Sequence, residues 1–173
     1  DLAALEKALC NKDVAAFIVE PVQGKGVNIP DDNYLPEVER LCKQYGTLFV
    51  ADEIQTGIGR TGKFWAIEHW QVKPDMICMA KALSGGFVPV GAVAMTQKIM
   101  DSVFNRMDRA VVHGSTFSKN NMAMAAGLAS LEIIKAEKLV ENSARIGSEI
   151  INRLSALKGQ FEFFKEARGK GSM

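Results

Sequence analysis

Asp52 and Lys81 are the two side chains of this sequence whose types and settings could do chemistry together. Each ends a short apolar run: TLFVADE at 47–53 for the acid, MICMAK at 76–81 for the amine. Both runs are apolar without alternation and bounded by turn residues, as strands buried on both faces of a parallel sheet are. Parallel strands of an open α/β sheet aim their carboxyl ends at the ligand crevice, so acid and lysine are expected to meet in one pocket. That pairing suits pyridoxal phosphate. The amine can form an imine with the cofactor aldehyde, and the carboxylate can keep the pyridine nitrogen protonated, so that the ring accepts electrons from a carbanion.

Other readings of the same residues stand beside this one. Asp52 followed by Glu53 is also the pattern of a strand-end acid that caps a loop, or of an acid pair that holds magnesium in an ATPase. GIGRTGK at 57–63 fits the first seven places of a phosphate-binding loop, but the eighth is Phe64, where a magnesium-binding Ser or Thr is required, and no helix start is evident at the lysine. A P-loop ATPase is therefore disfavoured. Lys81 could be a surface lysine, but apolar MICMA and Ala-Leu flank it. A buried ammonium is costly unless paired or neutralised. An imine removes that cost, and desolvation lowers the amine toward its reactive form. HGSTFS at 113–118 reads either as a polar loop capping a helix near Asn120 or as small hydroxyl residues placed for a phosphate.

The elements that must position these groups follow from the pattern of the chain. Leu2, Leu5 and Leu9 predict the tail of an amphipathic helix, AAFIVEPV a buried strand ended by Pro21, and QGKGVNIPDD a Gly-rich loop. Leu35, Val38, Leu41 and Cys42 give residues 34–45 a helical period, with Gly46 as the stop. After the TLFVA strand come a Gly-rich loop at 56–62, a short helix around FWAIEHW, the MICMA strand, an SGG loop at 84–86 and a VGAVAMT strand. Residues 105–120 read as loop and 121–136 as helix. A second helix near 138–157 places Leu139, Ile146, Ile150 and Leu154 on one face. Strands alternating with helices predict an α/β fold with a largely parallel sheet.

Composition sets bounds on partners. With 47% hydrophobic and 24% charged residues in 173, the chain can bury a core like an ordinary globular protein. A formal net charge of +1 gives no strong field for nucleic acid or an anionic membrane. No apolar run approaches the roughly 20 residues that span a bilayer. DLAALEKALC lacks the basic start and apolar centre of a signal peptide. Cys10, Cys42 and Cys78 are scattered and odd in number, as reduced thiols of a cytoplasmic protein are, and no metal site is expected. The missing initiator Met and the stop just after RGKG lead us to expect a fragment of a longer chain.

The segments VEPVQG (19–24), LFVADEIQTGIGRTGKF (48–64), PDMICMAKALSGGFVPVGA (74–92) and HGSTF (113–117) together resemble the class III aminotransferases, which act on ornithine, acetylornithine and other omega-amino acids. They occur in that family's order and spacing over about three quarters of the chain. The resemblance implies part of the large domain of a fold-type-I pyridoxal phosphate enzyme, three layers α/β/α around a mainly parallel sheet and truncated here. Residues 1–136 would belong to the central part of that domain. Residues 137–173 would form the connecting helix and the start of a small C-terminal domain, with RGKG at 168–171 near the crossing.

The resemblance also implies roles. Lys81 would carry the cofactor imine and then shuttle a proton between substrate and cofactor carbons. Asp52 would pair with the pyridinium nitrogen, and Gln55 would bond near the cofactor's phenolic oxygen. Thr116, with the backbone of Ser115, would reach the cofactor phosphate of a neighbouring subunit, which implies a homodimer. Glu20 would sit in a polar network behind these groups. The implied reaction is transamination between a small-molecule amine and a keto acid. Decarboxylation-coupled transamination, an aminomutase reaction and an inactive fragment are the alternatives. Two departures stand out. Many members have Gln-Gly-Glu where this chain has Gln23-Gly24-Lys25 in a loop one residue shorter, which argues against ornithine-like specificity. The family's upstream phosphate-binding segment, its stacking aromatic residue and its C-terminal carboxylate-binding arginine have no counterpart here, so the isolated segment is expected to be inactive.

Overall fold

The computed structural model describes residues 1–173. Its centre is a four-stranded sheet in the order β1 (Ala16–Val19), β2 (Leu48–Asp52), β3 (Met76–Met79), β4 (Ala92–Met95). β1–β2 and β2–β3 pair in parallel, and β4 returns antiparallel beside β3. The α/β class and the mainly parallel sheet are as the sequence predicts.

One face of the sheet carries the core. Helix α1 (Leu2–Leu9) buries Leu5 and Leu9, and α2 (Tyr34–Tyr45) buries Leu35, Val38, Leu41 and Cys42 against Phe49 of β2. Asp1 caps α1 by accepting from the amides of Ala3 and Ala4. Gly46, at φ 75°, ends α2 in the left-handed conformation that a side chain would disfavour. The other face is thinly covered. Ile18 on the edge strand β1 stays 59% exposed, while its neighbours Phe17 and Val19 pack on the core. AAFIVEPV is therefore buried on one face rather than on two.

Beyond β3 a 3-10 turn at Lys81–Ser84 leads to β4, then to α3 (Gln97–Val103), which the sequence pattern did not announce because it buries no residue. Residues 105–120 are loop apart from a 3-10 turn at Met107–Arg109. Helix α4 (Asn121–Ala136) begins at Asn120, whose side chain accepts from the Ala123 amide. It seats a row of small residues on the turn after β3: Ala123 and Gly127 are buried, and the Ser130 hydroxyl donates to the Ala82 carbonyl at 3.2 Å.

Helix α5 (Leu139–Ser155) does not pack by its row of large apolar residues. The side turned inward is the small one. Val140 and Ala144 meet Gly59 and Gly62, Gly147 meets the backbone of Gly171, and the Ser143 hydroxyl donates to the Arg60 carbonyl. Leu139, Ile150 and Leu154 stay exposed. Glycines without a Cβ let the helix backbone approach the loop more closely than any leucine face could. The RGKG run folds back on the same loop, with the Ser172 amide donating to Arg60 O at 2.9 Å.

Candidate active site

The three parallel strands end at one edge of the sheet, and each delivers a polar group there. Glu20 follows β1, Asp52 closes β2, and Lys81 opens the turn after β3. This is the edge at which open α/β sheets bind ligands.

Lys81 sits at φ 45°, in the left-handed region that residues with a side chain seldom occupy. Such a conformation costs about 1–3 kcal/mol and persists only where its surroundings enforce it. Here they do. The Leu83 amide donates to Ala80 O, the Gly85 amide to Ala82 O, and Ser130 of α4 donates to the same Ala82 carbonyl. The Lys81 side chain is exposed, so the desolvation argued from its apolar flanks does not hold in this chain. The flanking residues Leu83 and Ser84 take the buried positions instead. Lys81 Nζ donates to Gln55 Oε1 at 2.9 Å. Gln55 Nε2 in turn faces the Gly24 carbonyl at 3.5 Å, and the Gly24 amide donates to Glu20 Oε2 at 2.8 Å. Glu20, Gln55 and Lys81 are thus joined in one network.

Asp52 is half-buried. Its Oδ1 accepts from the Ile54 amide at 3.1 Å, and its other oxygen accepts no hydrogen bond from the chain. It lies in register with Cys78, whose thiol is pushed up first by burial and then by the Asp52 charge. Ser115 and Thr116 stand apart in an exposed turn, where the Ser118 hydroxyl donates to Ser115 O at 2.7 Å; neither bonds Lys81, Gln55 or Asp52. A cavity of about 1080 Å³ opens beside Lys81 and Gln55, with Phe87, Ile133, Leu139 and Ile146 among its lining.

Glu53 is the residue that sequence reasoning passed over. It is fully buried, and its carboxylate accepts from the Thr56 hydroxyl at 2.5 Å and from the amides of Ala66 and Ile67 at 3.0 and 2.8 Å. Burial pushes its carboxyl up, against those three donors. It fastens Thr56, at the start of the Gly-rich loop, to the 3-10 helix Ala66–Trp70, the short helix foreseen around FWAIEHW. No α-helix starts at Lys63, so the phosphate-loop reading fails on geometry as well as on Phe64. The only sequence signal for Glu53 was its place next to Asp52, since neighbours in a strand point to opposite faces.

Comparison with known proteins gives the frame. The pattern of the family described as aminotransferase class-III matches residues 1–173. The chain belongs to the class III aminotransferases. It is 45% identical over 172 residues to a probable mitochondrial ornithine aminotransferase of Caenorhabditis elegans, covering 99% of this chain and 39% of that one. It is 42% identical to a putrescine aminotransferase of Pectobacterium atrosepticum, covering 99% and 37%. Among solved structures, the Toxoplasma gondii ornithine aminotransferase superposes with a TM-score of 0.92 at 41% identity, covering 99% of this chain and 39% of that one; that structure has partial occupancy of PLP at its active site. The likeness confirms the fold as part of the α/β fold of these aminotransferases. This class III chain spans about two fifths of the length of the relatives it matches.

Proposed function

We propose that the protein containing this chain transfers an amino group between a small-molecule amine and a keto acid, with pyridoxal phosphate as cofactor. The observation that carries this reading is the exposed Lys81 amine, held by a neutral acceptor at the strand edge where Asp52 ends the next strand, in a class III chain.

The residues present fit the cofactor. Lys81 has a single neutral partner and no carboxylate to compete for its amine, Asp52 keeps an oxygen free to accept, and the cavity beside them is as large as small-molecule sites commonly are. Lys81 would attach the group through Nζ, Asp52 would accept the hydrogen bond of the ring nitrogen, and Gln55 would bond at the ring oxygen. When bound, pyridoxal phosphate supplies an electron-accepting ring that stabilises negative charge on the substrate carbon. Lys81 Nζ then moves the proton at that carbon. Gln55 fixes where the amine stands before and after, and Glu20 holds the loop that holds Gln55. Asp52 stabilises positive charge on the ring and so sets its capacity as an electron sink.

The rest of the proposal concerns the whole protein. The names of the relatives support a donor with an amine at the end of a short carbon chain, such as an omega-amine or amino acid. Lys25, at the exposed tip of the loop after β1, stands where the family resemblance leads one to expect glutamate. Ser115 and Thr116 would serve the cofactor phosphate of a second copy, giving a homodimer, with neither nucleic acid nor membrane as partner. No helix is long and apolar enough to cross a membrane. Three free thiols favour a reducing compartment such as the cytoplasm. Residues 1–136 would belong to the large domain and 137–173 to the connection toward a smaller one.

The test is kinetic. In the full-length enzyme, Asp52→Asn should leave cofactor capture by Lys81 intact yet lower turnover about 10²–10³-fold, the scale of losing one major electrostatic contribution. Near-normal turnover would remove Asp52 from the mechanism.

A further inference from the structure

The loop after β1 is bent into a shape that needs holding. Gly26 lies at φ 85° and Val27 at φ 49°. A β-branched residue in the left-handed region is an outlier that surrounding contacts must maintain. Gln23 and Asn28 close the neck of the loop: the Gln23 amide donates to Asn28 O at 3.0 Å, and Asn28 Nδ2 donates to Gln23 Oε1 at 2.8 Å. The Gly26 carbonyl accepts from the guanidinium of Arg168, from Nη2 at 2.9 Å and from Nε at 3.2 Å, across 142 positions of sequence.

The other end of this loop reaches the site. A Cβ on Gly24 would lie 2.3 Å from Gln55 Oε1, so a side chain there would have to displace the end of Gln55. Any shift of Gly24 therefore shifts Gln55, the acceptor of Lys81. The contact of Gln55 Nε2 with Gly24 O is already 3.5 Å, so a small displacement breaks it.

We propose that Arg168 is a positioning residue: its guanidinium latches the Gly26 carbonyl, keeps loop 23–28 in its bent form, and so sets Gln55 against Lys81. Charge-assisted hydrogen bonds are the strong ones, and two donors of one planar fork meet the same carbonyl. A lysine ammonium cannot reproduce that fork. Glu166 pairs with the outer edge of the guanidinium and leaves the inner edge to the loop. Because Arg168 belongs to the RGKG run that also lies on Arg60, movement of the C-terminal segment is transmitted to the site through this latch.

The consequence for Lys81 rests on the reading above; the latch itself does not. In the full-length enzyme, hydrogen exchange of a peptide spanning 23–28 reads the latch, and the rate at which apoprotein Lys81 captures added pyridoxal phosphate, trapped by borohydride, reads the site. Arg168→Ala and Arg168→Lys should each speed exchange in the loop about tenfold or more. Both should slow capture severalfold without lowering the melting temperature much. Glu166→Gln should change neither. Unchanged exchange in both Arg168 variants overturns the latch. Faster exchange with unchanged capture overturns its link to Lys81. If the wild-type protein captures no cofactor at Lys81, the aminotransferase reading and the link fail together, while the exchange result still decides the latch.

Discussion

Asp52 and Glu53 are adjacent, acidic and opposite in setting. Strand alternation sends one toward the crevice and the other into the interior, where three donors surround it. The strand-end argument singles out Asp52 from the sequence, but it gives no sign that Glu53 is buried among donors. The same Gly-rich loop holds a titrating group. His69 Nε2 lies 3.1 Å from the Thr61 carbonyl, and burial pulls its pKa below the ordinary 6.5, with Lys170 and Lys63 adding to the effect and Thr61 opposing it. A depressed pKa in the folded state gives stability that is present above 6.5 and lost as pH falls through the folded value. The stability advantage of the wild-type protein over His69→Gln, measured by denaturant unfolding, should therefore shrink as pH drops from 6.5 toward the folded value. A constant difference across that range would show that His69 titrates alike in both states.

The elements were legible where one face meets one core. α1, α2 and α4 lie where their apolar periods, Gly46 and Asn120 place them, and β2 and β3 end at Asp52 and just before Lys81 as their apolar runs indicate. Legibility failed where packing depends on backbone approach. On α5 the large apolar residues drew attention, whereas Val140, Ala144 and Gly147 make contacts with glycines and Ser143 bonds the Arg60 carbonyl. On β1 the apolar run AAFIVEPV reads as a buried strand, whereas the strand lies at the sheet edge and leaves Ile18 exposed. The exposure of Lys81 was misjudged for a related reason: the turn buries Leu83 and Ser84 and leaves Lys81 outside. α4 is what fixes that turn. A Cβ on Gly127 would meet Leu83 O at an ordinary 3.7 Å, so alanine fits there but a larger side chain does not. Gly127→Leu should cost about 1–3 kcal/mol by overpacking and should impair capture of the cofactor at Lys81, with Gly127→Ala nearly neutral. Equal behaviour of the two variants would show that the helix does not set the turn.

At the scale of the molecule, this chain supplies a sheet edge with a lysine and an acid, and little to cover the exposed apolar side chains of Phe87, Phe117, Met122 and Leu128. Large apolar side chains left this exposed suit a surface on which other protein packs. The exposed turn with Ser115 and Thr116 lies in the same stretch. If Thr116 serves the cofactor of a second subunit, mixing full-length Thr116→Ala subunits with Lys81→Ala subunits should restore activity, because one site of each hybrid then holds both groups. Hybrids shown to form without regaining activity would place Thr116 in service of its own subunit. The central claim is that Lys81 is the residue that binds the cofactor covalently, and one measurement reaches it directly: borohydride reduction of the full-length holoenzyme followed by peptide mapping. The account predicts a single pyridoxyl group on Lys81, in the peptide containing AKALSGG. A pyridoxyl group on any other lysine would contradict it.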